Sequence, residues 1–155
     1  MNKVKWCLTK KEGLQVVEPN DNLCKTYLLK AEHALNSMRK VTAKEWKIST
    51  AYYTSYFSLY ALCIKIGIKC EIHSCTILFA KEYLKTYFTK EDILFITKSC
   101  KARIDTQYYT DKDISNTEYS KIIDETPLFY ITCKSIISQL TYQEIKHIRN
   151  EISKI

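Results

Sequence analysis

Only three arginines stand beside 21 lysines in the 155 residues, and one of them, Arg103, lies in a stretch whose other residues read as a half-buried helix. An unpaired buried guanidinium is rare. Arg103 is therefore either a phosphate or anion holder or half of a buried ion pair with Asp105, Asp92 or an acid from another helix. Cys70, His73 and Cys75, with Cys100 or Cys133 as a fourth ligand, have the residue types of a metal site. Their spacing lacks the two-residue gap usual in a zinc Cys pair, so no metal is expected, and His73 beside Ser74 is better explained as part of a helix cap. Tyr52, Tyr53, Tyr56 and Tyr60 could stack nucleobases, yet they repeat as a core stripe does. Lys146, His147, Arg149 and Lys154 read as a solvated basic face. No strained turn of the kind that presents a Ser-His-Asp nucleophile is recognisable.

The elements that position these residues follow from composition. The length suits one domain. Two glycines and two prolines exclude a Rossmann fingerprint and a P-loop, each of which needs at least two closely spaced glycines. No Asn-Gly or Asp-Gly dipeptide marks a tight hairpin, which leaves an all-α chain. The formal charge of +7 invites RNA, because basic side chains release counterions from phosphates. The lysines are scattered rather than clustered, though, and arginine is the better phosphate fork.

No apolar segment follows the lysines of residues 1–11, so no signal peptide is expected. The uncharged run Ile48–Ile64 is 17 residues long but rich in Ser, Thr and Tyr, too polar for lipid. A cytoplasmic chain with no membrane contact is expected, its seven cysteines reduced.

Residues 1–18 read as an N-terminal arm, with Val4, Trp6 and Leu8 alternating as a short strand would. Residues 19–155 read as one bundle of five or six helices. Asn20 or Asp21 caps a helix to about Arg39, and a second runs from about Ala43 to Ile66, stopped by Gly67. That second helix is apolar around most of its circumference and belongs at the bundle's centre. A third helix begins at His73-Ser74. Thr89 caps a fourth that runs to about Tyr108, with Glu91 and Asp92 in its first turn. A fifth starts near Glu118 and is expected to bend or restart at Thr126-Pro127. Thr141 and Glu144 have the spacing of a capping box that opens the last helix.

The run Ser49-Thr50-Ala51-Tyr52-Tyr53-Thr54-Ser55-Tyr56 through Ala61-Leu62, then Gly67-Ile68 and Ile72-His73-Ser74, resembles the HEPN family, particularly its small archaeal members. Arg103-Ile104-Asp105-Thr106-Gln107-Tyr108-Tyr109 resembles the family's arginine motif. The resemblance covers roughly residues 20–140. It implies an antiparallel up-and-down bundle that forms a homodimer, often as the toxin half of a toxin–antitoxin pair with a nucleotidyltransferase partner. Many members are metal-independent ribonucleases that use no cofactor. Their motif is an arginine, four to six residues and then a histidine, with two motifs facing each other across the dimer.

On this chain the resemblance gives Arg103 and Tyr108 the catalytic positions and Gln107 and Tyr109 the neighbouring binding positions. Tyr108 stands where the histidine would be. A tyrosine of pKa about 10 is a poor acceptor for a 2′-hydroxyl proton. Enzymatic activity is therefore left open between an RNA-directed protein and a non-catalytic module that partners a nucleotidyltransferase. Positions 103 and 108 also lie about 140° apart on a continuous helix. A joint site requires the helix to loosen near Gln107 or a second chain to supply one partner.

Overall fold

The computed structural model describes residues 3–155. The fold is all-α. Its helices are α1 (Lys3–Thr9), α2 (Asp21–Lys40), α3 (Lys44–Ile66), α4 (His73–Tyr83), α5 (Lys90–Tyr108), α6 (Asn116–Gln139) and α7 (Tyr142–Ser153). Among the described residues two short strands, β1 (Gln15–Val16) and β2 (Ile68–Lys69), pair antiparallel, Gln15 opposite Lys69 and Val16 opposite Ile68.

α3 is the axis, packed by α2, α5 and α6. Tyr52, Leu59, Leu62 and Ile66 on it are fully buried, each such aliphatic side chain contributing about 1.5–3 kcal/mol on removal from water. Three of its buried hydroxyls are satisfied within the helix. Thr54 donates to the Thr50 carbonyl at 2.8 Å, Ser55 to Ala51 at 3.2 Å and Ser58 to Thr54 at 2.6 Å. These back-bonds let an uncharged but polar segment sit in the core of a protein. Among the described residues no helix is long and apolar enough to cross a membrane.

The capping signals fall where the residue types require them. Asn20 accepts from the Leu23 N–H at 2.8 Å, and Thr89 and Thr141 each close a capping box, with Asp92 and Glu144. Gly67 ends α3 with φ +86°, a conformation that favours a residue without a Cβ.

Four expectations differ from the structure. Residues 3–9 form a helix rather than an alternating strand, because Val4 and Cys7, one turn apart, both face the core. Cys7 is not a free thiol: docking of α1 brings its Cα to 5.8 Å from that of Cys75, and the two form a disulfide. α6 continues unbroken through Pro127, since Ile122, Thr126, Phe129, Tyr130, Cys133 and Ile136 bury one face on both sides of the proline. That burial offsets the roughly 3 kcal/mol an internal proline costs. Finally, His73 is not a cap. Ile72 holds the N-cap position and makes no side-chain cap bond, and the His73 imidazole turns inward.

Candidate functional site

The last turns of α5 put Arg103 against α3. Its Nη2 donates to the Tyr53 hydroxyl at 3.0 Å. The guanidinium carbon lies 5.4 Å from the Tyr52 ring centroid, 5.3 Å from Tyr53 and 6.0 Å from Tyr108. Three ring faces around one cation give an aromatic cage, each contact worth about 0.5–2 kcal/mol according to its hydration.

What Arg103 lacks is an acid. Among the described residues no carboxylate comes within ion-pair distance of it. Asp105 instead pairs with Lys101 and with Lys112, at 3.5 Å, and those lysines hold its pKa below the usual value. Asp92 closes the Thr89 capping box. The ion-pair reading of Arg103 therefore falls, because both of its named acids are spent elsewhere. Nε of Arg103 is buried without a partner. A buried donor left unpaired costs about 1–3 kcal/mol, so the cage is a site where an acceptor would be stabilising.

The structure adds a group that spacing alone does not suggest. From Ile66 back to Tyr52 along α3 is roughly 21 Å at 1.5 Å per residue. After the left-handed turn at Gly67, residues 68–73 run back for up to about 20 Å and return His73 to the level of Tyr52. There Nδ1 of His73 lies 2.7 Å from the Tyr52 hydroxyl, and the imidazole stacks on the Tyr56 ring at 3.8 Å between centroids. Burial and then the Arg103 charge push the His73 pKa below its ordinary value of 6.5, so the ring is neutral at pH 7. Burial drives the Tyr52 pKa strongly upward, which keeps its hydroxyl protonated. In the tautomer whose Nδ1–H donates to the Tyr52 hydroxyl, Nε2 of the neutral imidazole keeps its lone pair, and beside an unneutralised guanidinium the site can then hold an anion and accept a proton.

Of the residues the sequence singled out, Arg103 and Tyr108 are brought together and the other two are not. Tyr108 reaches the guanidinium although α5 stays helical through it, because two long side chains bridge the angle that backbone positions alone leave open. Its ring is 65% exposed and forms the outer wall of the cage. Gln107 is exposed and makes no side-chain hydrogen bond among the described residues. Tyr109 caps α5 and its ring sits under Lys112 at 4.1 Å.

The tyrosine stripe is core on one side and site on the other. Tyr52, Tyr56 and Tyr60 are buried, and burial raises the Tyr60 pKa to about 12, while Tyr53 meets Arg103. Cys70, His73 and Cys75 do not act as a ligand set. Cys75 is tied to Cys7, Cys70 donates to the Ile72 carbonyl at 3.3 Å, and His73 bonds Tyr52. Among the described residues no group of three or more His, Cys, Asp or Glu is placed to hold a metal ion.

On the basic C-terminal face Lys146, His147 and Lys154 are exposed as expected, and only Arg149 departs. Arg149 is largely enclosed, donating to the carbonyls of Ile66 at 3.2 Å, Gly67 at 3.1 Å and Val17. In comparisons with known proteins, no family model and no curated protein matches the chain, so the site's chemistry is read from its own geometry.

Proposed function

We propose that this is a HEPN-type, RNA-directed protein that holds a phosphodiester on Arg103 and takes a proton with His73. The observation that carries the reading is the pairing of a guanidinium without a carboxylate, its Nε unsatisfied, with a neutral imidazole in the same cage. His73, from the start of α4, then does the work that Tyr108 cannot do from the motif position. Attack of a 2′-hydroxyl on the neighbouring phosphate needs a base for the hydroxyl proton and a cation for the charge that builds on the phosphoryl oxygens. His73 and Arg103 supply these; as the 2′-oxygen bonds to phosphorus the P–O5′ bond breaks, and the 5′-oxygen leaves as an alcohol, taking its proton from the His73 imidazolium or from water. Tyr108, exposed beside them, offers a face on which a base can stack. The net charge of +7 favours the encounter. Pairing of two copies would set two cages against one RNA. The nucleotidyltransferase partner implied by the family resemblance fits the same reading, as the protein that silences this one.

The test uses labelled single-stranded RNA with excess chelator. The wild-type chain is expected to bind RNA and to release products ending in 2′,3′-cyclic phosphate. Arg103→Ala should weaken binding. His73→Gln should keep binding and lose cleavage by at least about 100-fold, the lower end for a general base. RNA bound but uncut, with His73→Gln indistinguishable from wild type, would leave a binding module without catalysis. Unaltered RNA binding by Arg103→Ala would remove the whole reading.

A further inference from the structure

Two surface grooves lie along the hairpin of α4 and α5, and Arg103 lines neither. One, of about 690 Å³, is bounded by α1, α4 and α5, and a second, of about 700 Å³, continues it toward the α4–α5 turn; both are lined by Lys81 and Thr97. The lining of α5 runs from Lys90 to Ile104, about 21 Å or four helical turns. It recurs at three- and four-residue steps: Ile93 and Leu94, Thr97, Cys100 and Lys101, Ile104. Ile77 and Leu78 of α4 face it, and Trp6 of α1 closes one end. Leu94 is 51% exposed, Trp6 39% and Ile104 38%, so this apolar floor lies open to water.

The walls carry charge of one sign. Lys3, Lys81, Lys85, Lys90 and Lys101 line the two grooves, and no aspartate or glutamate does. Lys101 pairs with Asp105, and Lys85 with Glu82 at 3.3 Å. Lys3, Lys81 and Lys90 have no carboxylate partner among the described residues.

We infer that this groove receives an acidic amphipathic helix of a partner protein, its apolar stripe on the floor between α4 and α5 and its carboxylates against the lysines. A two-helix groove about four turns long matches the length and the i, i+3/i+4, i+7 anchor spacing of such a helix. A single-headed amphiphile such as a fatty acid would need one cation and a closed pocket around its tail. Here the cations are spread along both walls and the floor is open. A second copy of the chain, itself at +7, meets these lysines with the wrong overall sign.

Trp6 is a built-in reporter. With Trp46→Phe, at a position 56% exposed and outside the groove's lining, Trp6 is the chain's sole tryptophan. The probe is a synthetic helix of roughly 16 residues with leucines at those anchor positions and glutamates on the flanks. A scrambled peptide of equal composition, palmitate, and added unlabelled protein serve as competitors. Expected are a blue shift of Trp6 emission, helix formation by the peptide, and affinity that falls about tenfold or more on raising salt. Lys81→Glu with Lys90→Glu should lose binding about tenfold, and Leu94→Glu should do so separately; all three positions are exposed, and unchanged melting would show that the fold is intact. Equal binding of the scrambled peptide, an affinity indifferent to charge reversal, or no binding would overturn the proposal. So would a Trp6 response to palmitate or to a second copy alone. Arg103→Ala leaves this assay unchanged, which separates its outcome from that of the RNA test.

Discussion

Arg149 and Arg103 are both half-buried guanidiniums on helices, and the molecule treats them in opposite ways. Arg149 donates to three backbone carbonyls, Val17, Ile66 and Gly67, with Glu18 at 3.9 Å. It ties the N-terminal arm, the end of α3 and the last helix into one knot. Arg103 has one hydroxyl partner, tyrosine faces, and an Nε with nothing to donate to. The first spends its donors on the chain that made it. The second keeps donors in hand, which stabilises nothing until something else supplies the acceptor. The difference separates a structural cation from a functional one, and it cannot be had from residue type or helix position.

The largest effect expected is on Arg149. Arg149→Ala strands three carbonyls gathered around a charge and should cost about 3 kcal/mol, or roughly 6–12 °C in Tm for a chain of this size. Arg103→Ala, by contrast, loses ring contacts but also removes a buried donor without a partner, and because the two oppose each other the net change in stability should be less than about 1 kcal/mol. Thermal melts of the two variants, followed by far-UV circular dichroism, check the contrast. A drop for Arg103→Ala as large as that for Arg149→Ala would make both residues structural.

Gly67→Ala is the next step down. A side chain at φ +86° carries strain of about 1–3 kcal/mol. Its Cβ would also collide with the Arg149 guanidinium and the Val17 carbonyl. A loss of about 2 kcal/mol is expected by denaturant titration. Part of that loss is displacement of Arg149, so the double variant Gly67→Ala/Arg149→Ala should fall short of the sum of the two. Strict additivity would mean that the glycine and the arginine stabilise the knot independently.

Much of the bundle could be read from the residues themselves. The caps at Asn20, Thr89 and Thr141, the stop at Gly67 and the central place of α3 all rest on local chemistry that does not depend on distant neighbours. What resisted reading depends on chain return. α1 is a helix because Val4 and Cys7 face a core that includes residues of α4, and Cys7 finds Cys75, 68 positions later, the same way. Arg149 looks solvated on its own helix and is enclosed by residues up to 132 positions away. The site divides along the same line. Arg103 stood out as a scarce residue type in a buried stretch, but its second member did not. His73 has the spacing of a cap, and only the length of the extended return from Gly67 carries it to Tyr52.

The finest test of the contrast reads His73 itself. Burial and the Arg103 charge both disfavour its imidazolium, so its folded pKa lies below 6.5. Between that pKa and 6.5 the unfolded chain binds more protons than the folded one. This site's contribution to stability is therefore intact above about pH 6.5 and declines as pH falls toward the folded pKa. Arg103→Gln removes the charge while Tyr52, Tyr53 and Tyr56 still surround the ring, so the His73 pKa should rise part of the way back and the pH dependence should flatten. Two-dimensional NMR of the imidazole protons measures this directly, with His33 and His147 as signals from elsewhere in the molecule. Arg149→Gln should leave the His73 titration where it was, because that guanidinium is committed at the other end of α3. If both substitutions move His73 equally, or neither does, the Arg103 charge is not directed at the imidazole. The cage would then be a packing motif without a proton acceptor in it.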